Sequence, residues 1–414
     1  MLDGIWIIAM VIQNPVSRIK YLFVTRCKFV PDHPVSSTQK AEPLRSPMLQ
    51  LILSLLVIGI IGAILALLLE IADSYIADYG EKHILINEEK DLLVKGGSPL
   101  LFSLMDEGIF IPSACGGRGT CAYCKVKVSE GGGPVLPTET PYLTPDEIKE
   151  DVRLSCQVKV KSDIRIRIPE EFFLIKEFKV RLEKLENLTP DIKGLRLKIL
   201  SPEEGITFKP GQYIQLQVPK YELTREPEYR AYSISSSAED HQNIELVITK
   251  VPGGAVSTYV HDYMKEGEEF LINGPYGDFY LRESQRDILL IATGSGLAPI
   301  KSILDQIERE QIRRKTTFFF GARTPGDLYY FEELKGLEEK IAQYTFVPTI
   351  SRPTEEDQWE GEKGRVTHLI EKYIPENASL EAYICGAPAM VESCEQILKK
   401  KGIPEELLFY DKFA

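Results

Sequence analysis

The hydrophobic pattern of this chain changes character three times, and each stretch predicts a different kind of structure. From Leu49 to Leu69 (LQLILSLLVIGIIGAILALLL) nothing alternates: 21 residues run without a charge and are closed by Glu70. As a helix, a run of that length covers a bilayer core of about 30 Å. The other reading, a buried helix of a soluble domain, is seldom this long or this uniformly apolar. A transmembrane helix over 48–71 is therefore expected.

Beyond it the period shortens to two. His83–Asn87 and Asp91–Lys95 predict a hairpin, Pro99–Glu107 a helix capped by Ser98 and stopped by Gly108, and Lys125–Val128 and Gln157–Ile168 two strands. This is a small α+β domain. From about Phe172 strand-like runs alternate with turns such as Lys209-Pro210-Gly211: Phe178–Leu185, Leu195–Leu200, Tyr213–Val218 and Ile244–Lys250. Such spacing predicts an antiparallel barrel. Asp287–Thr293 (DILLIAT) is apolar almost throughout, as in strands of parallel sheets covered on both faces. A helix from Ile300 to about Glu310 follows, then strand starts at Thr316–Phe320 and Leu380–Ile384, which predicts an α/β domain.

Composition narrows the function classes. With 43% apolar and 27% charged residues the chain is ordinary globular protein, and 414 residues suit two to four domains. A net charge of -12 leaves no basic footprint for nucleic acid. The cysteines number seven, at 27, 115, 121, 124, 156, 385 and 394, and an odd count argues against a complete disulfide framework.

Four of them form one group, Cys115-x5-Cys121-x2-Cys124 and then Cys156, in the text SACGGRGTCAYCKVKV. Four thiolates are what an iron–sulfur cluster requires, three from one loop and a fourth from later in the chain. Gly116, Gly117 and Gly119 let the loop fold tightly and turn N–H groups toward the sulfurs. Structural zinc also takes four cysteines, but usually from two short C-x2-C knuckles, and here the fourth has no nearby partner. The domain resembles the β-grasp ferredoxins, with five residues in the first gap in place of the four of plant-type members. The resemblance implies a [2Fe–2S] cluster on Cys115, Cys121, Cys124 and Cys156.

The barrel carries Arg230-Ala231-Tyr232-Ser233, and later Gly253-Gly254-Ala255-Val256-Ser257-Thr258 opens a helix. A helix start with small residues can seat a phosphate, because its N–H groups are unpaired and its dipole is positive. Arg230 offers charge for a diphosphate, Tyr232 a ring and Ser233 a hydroxyl. Taken alone, R-x-Y-S could be an ordinary strand. Downstream, Gly294-Ser295-Gly296-Leu297-Ala298-Pro299 joins a strand to a helix, the phosphate-binding unit of dinucleotide folds with Pro299 in place of the third glycine. Gly321-Ala322-Arg323 follows the next strand, and Cys385-Gly386-Ala387-Pro388-Ala389-Met390 the last.

R-x-Y-S, then G-x-x-S-T, then a nucleotide domain: that order resembles the ferredoxin–NADP reductase superfamily. The resemblance implies FAD held by Arg230, Ala231, Tyr232, Ser233, Lys250, Gly254, Val256, Ser257 and Thr258, with the terminal ring of Phe413 on the flavin face. It implies a nicotinamide nucleotide at Gly294, Gly296, Pro299, Arg323, Cys385 and Gly386, and it makes Ser233 and Cys385 the catalytic candidates. The bland alternative for Cys385 is a small buried cysteine, the reading given to Cys27 and Cys394, but the complete C-G-x-P-x-M string favours a place beside the nicotinamide. One Arg, with Asp327 nearby, is not the basic cluster a 2′-phosphate calls for, so NADH is expected.

The full order gives an extension (1–47), the helix (48–71), a ferredoxin domain (80–171), an FAD barrel (172–283) and an NADH domain (284–414). It resembles the F-subunit family of the Na⁺-translocating NADH:quinone reductases, with a tail of Asp411-Lys412-Phe413-Ala414 where that family usually has two acidic residues, Phe and glycines. What this implies is an NADH dehydrogenase subunit of a bacterial inner membrane complex. It would be single-pass with cytoplasmic catalytic domains and would bind other integral subunits. The reductase component of an oxygenase shares the same soluble modules, and a tethered electron carrier is the non-enzymatic alternative.

Charge alone points the other way on orientation. Arg18, Lys20, Arg26, Lys28, Lys40 and Arg45 precede the helix, and only Lys82 and Lys90 closely follow it. By the positive-inside rule the large C-terminal part would face outward, away from the cytoplasmic nucleotide pool. A true start at Met48 would resolve this. The short apolar run Ile5–Ile12 cannot cross a membrane, and no clear signal-peptide cleavage site follows it.

Overall fold

The computed structural model describes residues 47–76 and 79–413. The expectations for residues 1–47 and for Cys27 lie outside those residues, apart from Pro47 itself. The chain divides into two compact units, Met1–Leu69 and Glu70–Ala414.

In the first unit a helix α1 runs from Pro47 through the boundary to Ile76. It is five residues longer at its C-terminal end than the expected 48–71. Its stretch Leu51–Leu69 has a mean hydropathy of 3.1 and none of it is buried. The helix is long and apolar enough to cross a membrane.

The second unit begins with a five-stranded sheet built from β1 (Glu81–Ile86), β2 (Lys90–Lys95), β3 (Lys125–Glu130), β4 (Val152–Leu154) and β5 (Ile164–Arg167), in the order β2-β1-β5-β3-β4. Period-two alternation turns Ile84, Ile86, Leu92, Val94, Val126 and Val128 onto one buried face. Helix α2 (Leu100–Asp106) covers that face with Leu100, Leu101 and Leu104, and α3 (Pro145–Lys149) precedes β4. Two expectations need correction. The N-cap of α2 is Pro99, without a side-chain cap, so Ser98 is not the capping residue. Gln157–Ile168 is not one strand. Its first half leaves the sheet after Cys156, where Lys159 makes only an isolated bridge to Pro99, and Ile164–Arg167 alone joins the sheet.

The barrel comprises β6 (Lys176–Thr189), β7 (Ile192–Ser201), β8 (Tyr213–Val218), β9 (Glu228–Ser233), β10 (Asn243–Thr249) and β11 (Glu269–Tyr276), in the order β10-β7-β6-β11-β8-β9. All pairings are antiparallel, and an Ile234–Leu246 bridge draws β9 toward β10, curling the sheet toward closure. Helix α4 (Ala255–Asp262) follows β10.

The last part is a parallel sheet of β12 (Asp287–Thr293), β13 (Thr316–Ala322), β14 (Tyr344–Ile350), β15 (Glu362–Lys363), β16 (Leu380–Gly386) and β17 (Leu408–Lys412), in the order β15-β14-β13-β12-β16-β17. The helices α5 (Leu297–Arg309), α6 (Phe331–Gly336), α7 (Val366–Tyr373) and α8 (Pro388–Lys400) alternate with the strands. Leu290, Phe318 and Phe320 enter one core, while Leu289, Ile291 and Phe319 enter another on the opposite face. This double burial is why DILLIAT shows no alternation. The chain builds outward from β12 to β15 and then returns to β16 on the other side of β12. That reversal opens a crevice at the carboxyl ends of β12 and β16, where open α/β sheets bind their ligands.

Candidate functional site

The cysteine loop lies between α2 and β3, and β4 delivers the fourth cysteine behind it. The four sulfurs come together as two pairs. Cys121 donates its thiol to Cys115, and Cys124 Sγ lies 3.3 Å from Cys156 Sγ. The thiol of Cys121 holds Cys115 below the usual thiol value, as that of Cys124 holds Cys156. The N–H groups of Thr120 and Cys121 already point at the Cys115 sulfur, and that of Tyr123 at Cys121. Among the described residues no three ligands surround one point as a single metal ion would require. Two pairs of thiols, each able to hold one iron, suit a two-iron cluster.

This loop packs directly on the barrel. A side chain at Gly116, where φ is +65°, would stand 2.4 Å from the Tyr229 carbonyl oxygen, so only glycine allows the approach. Arg118 reaches Glu228 at 2.9 Å, and Glu228 also holds Arg230 at 2.7 Å, which ties the loop to β9. Phe110, Ile175, Tyr213 and Tyr276 form a small buried core between the two modules, with Ala231 packed against it. Tyr123, between Cys121 and Cys124, meets Tyr213 edge-on at 6.5 Å between ring centres. Tyr213 is in turn the strand partner of Ser233. Two rings thus lead from the cysteine loop to the strand pair bearing R-x-Y-S.

That strand, β9, places Arg230 opposite Leu216 and Tyr232 opposite Ile214, with Tyr232 packed against the barrel core. Helix α4 begins after Gly254, so the N–H groups of Ala255, Val256 and Ser257 head the helix, and Thr258 sits in its first turn. The Ser257 hydroxyl is engaged inside its own loop, accepting from Val251 N at 3.1 Å. What Ser257 presents to a phosphate is therefore its backbone. Lys250 is held by Asp262 at 2.7 Å.

In the crevice of the parallel sheet Gly294 turns the chain with φ of +55°, and a side chain at Gly296 would stand 2.3 Å from the Cys385 carbonyl oxygen. The ends of β12 and β16 touch there. Pro299 is buried in α5. Cys385 is wholly enclosed, and burial pushes its thiol well above the usual value, keeping it neutral. Gly386 accepts from Phe413 N at 2.9 Å, which sets the ring of Phe413 beside the end of β16. Arg323 follows β13 and is held by Asp191 at 2.7 Å.

Sequence reading missed one group here. Asp411 is the register partner of Cys385 and lies 3.5 Å from the Ser233 hydroxyl. Burial pushes its carboxyl up to about 6, against the Ser233 hydrogen bond that lowers it. An acid so placed can take up or release a proton near neutral pH. Nothing local marks it, because its partners lie on β9 and β16.

A pair-wise thiol cage, a curled barrel with a helix-start phosphate seat and a parallel-sheet crevice define an iron–sulfur flavoprotein oxidoreductase that uses a nicotinamide nucleotide. The comparisons agree. Residues 86–161 match the 2Fe-2S iron-sulfur cluster binding domain, 179–280 the oxidoreductase FAD-binding domain and 290–396 the oxidoreductase NAD-binding domain. The chain is 35% identical over 408 residues to the F subunit of the Na(+)-translocating NADH-quinone reductase of Neisseria meningitidis serogroup B, covering 88% of this chain and 100% of that one. It is 33% identical over 409 residues to that of Klebsiella pneumoniae, again covering 88% and 100%. Among solved structures, the ferredoxin reductase in carbazole 1,9a-dioxygenase superposes with a TM-score of 0.63 at 25% identity, over 81% of this chain and 98% of that one. The Amycolatopsis cytochrome P450 reductase shares the fold with a TM-score of 0.65 at 24% identity, over 80% and 98%. The chain belongs to the F-subunit family of the Na(+)-translocating NADH-quinone reductases.

Proposed function

We propose that this chain is the NADH-oxidising subunit of a membrane quinone reductase complex of the Na⁺-translocating type, anchored by α1 with its catalytic domains on the cytoplasmic side. The observation that carries this reading is the Tyr123–Tyr213 contact, which joins the cysteine loop to the strand of Ser233. A bound flavin supplies the conversion between a two-electron hydride and single electrons, which neither NADH nor a [2Fe–2S] cluster can make alone. The chain's residues do the positioning, in domains proposed at 80–171, 172–283 and 284–414. Arg230 and the start of α4 at Gly254 to Thr258 hold the diphosphate. Tyr232 and Phe413 would lie against the ring, and Ser233, backed by Asp411, would offer it a hydroxyl. Gly294, Gly296, Pro299, Arg323, Cys385 and Gly386 would seat NADH, with Cys385 and Gly386 on the nicotinamide side. Cys115, Cys121, Cys124 and Cys156 hold the cluster.

Helix α1 favours this reading over the oxygenase-reductase one, since an apolar stretch of 19 residues with none of it buried needs a membrane or a membrane partner. Purification from native membranes in mild detergent is expected to bring integral membrane subunits along with this chain. Recovery with a soluble terminal oxygenase and no membrane subunits would overturn the proposal.

A further inference from the structure

We propose that Asp191, on the barrel, sets the preference for NADH over NADPH by holding Arg323 in a clamp shared with Asp327. The inference rests on the proposed nucleotide site at the carboxyl ends of β12, β13 and β16.

The position after the second strand of such a sheet reads the ribose 2′ group. A carboxylate there accepts from the free hydroxyl, whereas an arginine welcomes a 2′-phosphate. Arg323 occupies that position directly after β13, so by its side chain alone it would invite NADPH. The structure places two carboxylates on it. Arg323 Nη2 lies 2.7 Å from Asp191 Oδ2 and 3.3 Å from Asp327 Oδ1. Neither carboxylate is free to swing away. Asp191 sits in the tight turn between β6 and β7, and its other oxygen accepts from Thr189 Oγ1 at 2.9 Å. Asp327 is fixed through its other oxygen, which accepts from Thr324 N and Thr324 Oγ1, each at 3.0 Å.

One guanidinium against two carboxylates leaves a local charge of about minus one, which repels a phosphate dianion and leaves acceptors for a diol. The clamp is half-exposed and therefore within reach of a bound nucleotide, with 51% of the Arg323 side chain and 36% of Asp191 accessible. It also spans two domains: the nucleotide domain supplies Arg323 and Asp327, and the barrel supplies the third member. Asp191 is therefore the one member of the clamp that comes from outside the nucleotide domain, and its charge is what holds Arg323 from a 2′-phosphate.

The test uses the full-length, flavin-loaded protein and steady-state rates with NADH and with NADPH. Asp191→Asn keeps the shape and an acceptor for Thr189 but removes the charge. It is expected to raise the NADPH/NADH ratio of kcat/KM about tenfold, carried by a lower KM for NADPH. Asp191→Ala is expected to move the ratio in the same direction, and adding Arg323→Gln to Asp191→Asn is expected to cancel the gain. An unchanged ratio in both Asp191 variants, with KM shifting in Arg323→Gln alone, would overturn the clamp and leave the nucleotide site standing. If no variant moves either KM, the ribose lies elsewhere and the site assignment fails with it.

Discussion

Replacing Cys121 with alanine is expected to split the chain's activities. Hydride transfer from NADH to artificial two-electron acceptors should persist, while delivery to one-electron physiological partners falls roughly a hundredfold or more. The reason lies in the separation of the two stations. Cys121 belongs to the loop between α2 and β3, and the groups around Ser233 lie on β9, across the Phe110–Tyr213–Tyr276 core. Removing one thiol leaves Cys115 without its partner, so one of the two irons loses half its protein ligands. The barrel and the parallel sheet keep their own cores and contain none of the four cysteines. Stopped-flow flavin bleaching beside a quinone reductase assay in reconstituted membranes measures both activities. Loss of both in a folded, flavin-loaded variant would contradict the proposed order of carriers.

The second large effect concerns a buried ion pair that itself holds no cofactor. Glu139→Gln is expected to cost the ferredoxin module about 3–5 kcal/mol, because it breaks a buried ion pair and leaves the surviving charge unmatched. Glu139 is fully buried, and Arg153 keeps only 5% of its side chain accessible. The carboxylate takes Arg153 Nη2 at 2.6 Å and Nε at 3.0 Å, together with the N–H groups of Leu136 and Leu154 at 2.9 and 3.0 Å. Arg153 also donates to the carbonyls of Gly132, Gly133 and Pro134. The pair therefore locks the 132–139 loop to β4, two residues ahead of Cys156, and its loss should loosen the cluster as well as the fold.

The pH dependence has a definite sign. Burial pushes the Glu139 carboxyl up, but Arg153 and the two N–H groups more than offset it, so the group titrates below its ordinary 4.5. A lowered carboxyl contributes stability that is present above 4.5 and is lost as pH falls through the native value. Denaturant titrations of wild type and variant should therefore converge under acid conditions. Glu139→Gln/Arg153→Met should recover part of the loss. A single-variant cost below about 1 kcal/mol at neutral pH would refute the account of this pair.

Much of the architecture can be read from one dimension because it is written in periods. The apolar run of α1, the two-sided burial of Asp287–Thr293 and the strand Tyr213–Val218 are local properties, and the structure has the two strands at those bounds. The strand bearing Arg230 is harder to see. Glu228–Ser233 is half-buried along most of its length and lacks the alternation that marks a strand. Gln157–Ile168 misleads in the opposite sense: Val158, Val160, Ile164 and Ile166 are all buried, yet the chain bends between the pairs and only the second joins the sheet. The cysteine spacing identifies the donor set. Its division into two pairs is a tertiary fact, as are the partnerships of Asp411 with Ser233 and of Asp191 with Arg323. Those contacts link residues 178 and 132 positions apart, beyond the reach of any local pattern.

The central claim is that a two-iron cluster on Cys115, Cys121, Cys124 and Cys156 takes its electrons from a flavin seated against β9. Anaerobic titration of the cofactor-loaded protein with NADH, followed by visible absorbance and electron paramagnetic resonance, tests it most directly. The account predicts flavin bleaching together with the signal of one reduced [2Fe–2S] cluster per chain. Flavin bleaching with no such signal, in protein whose four thiols hold zinc, would contradict it.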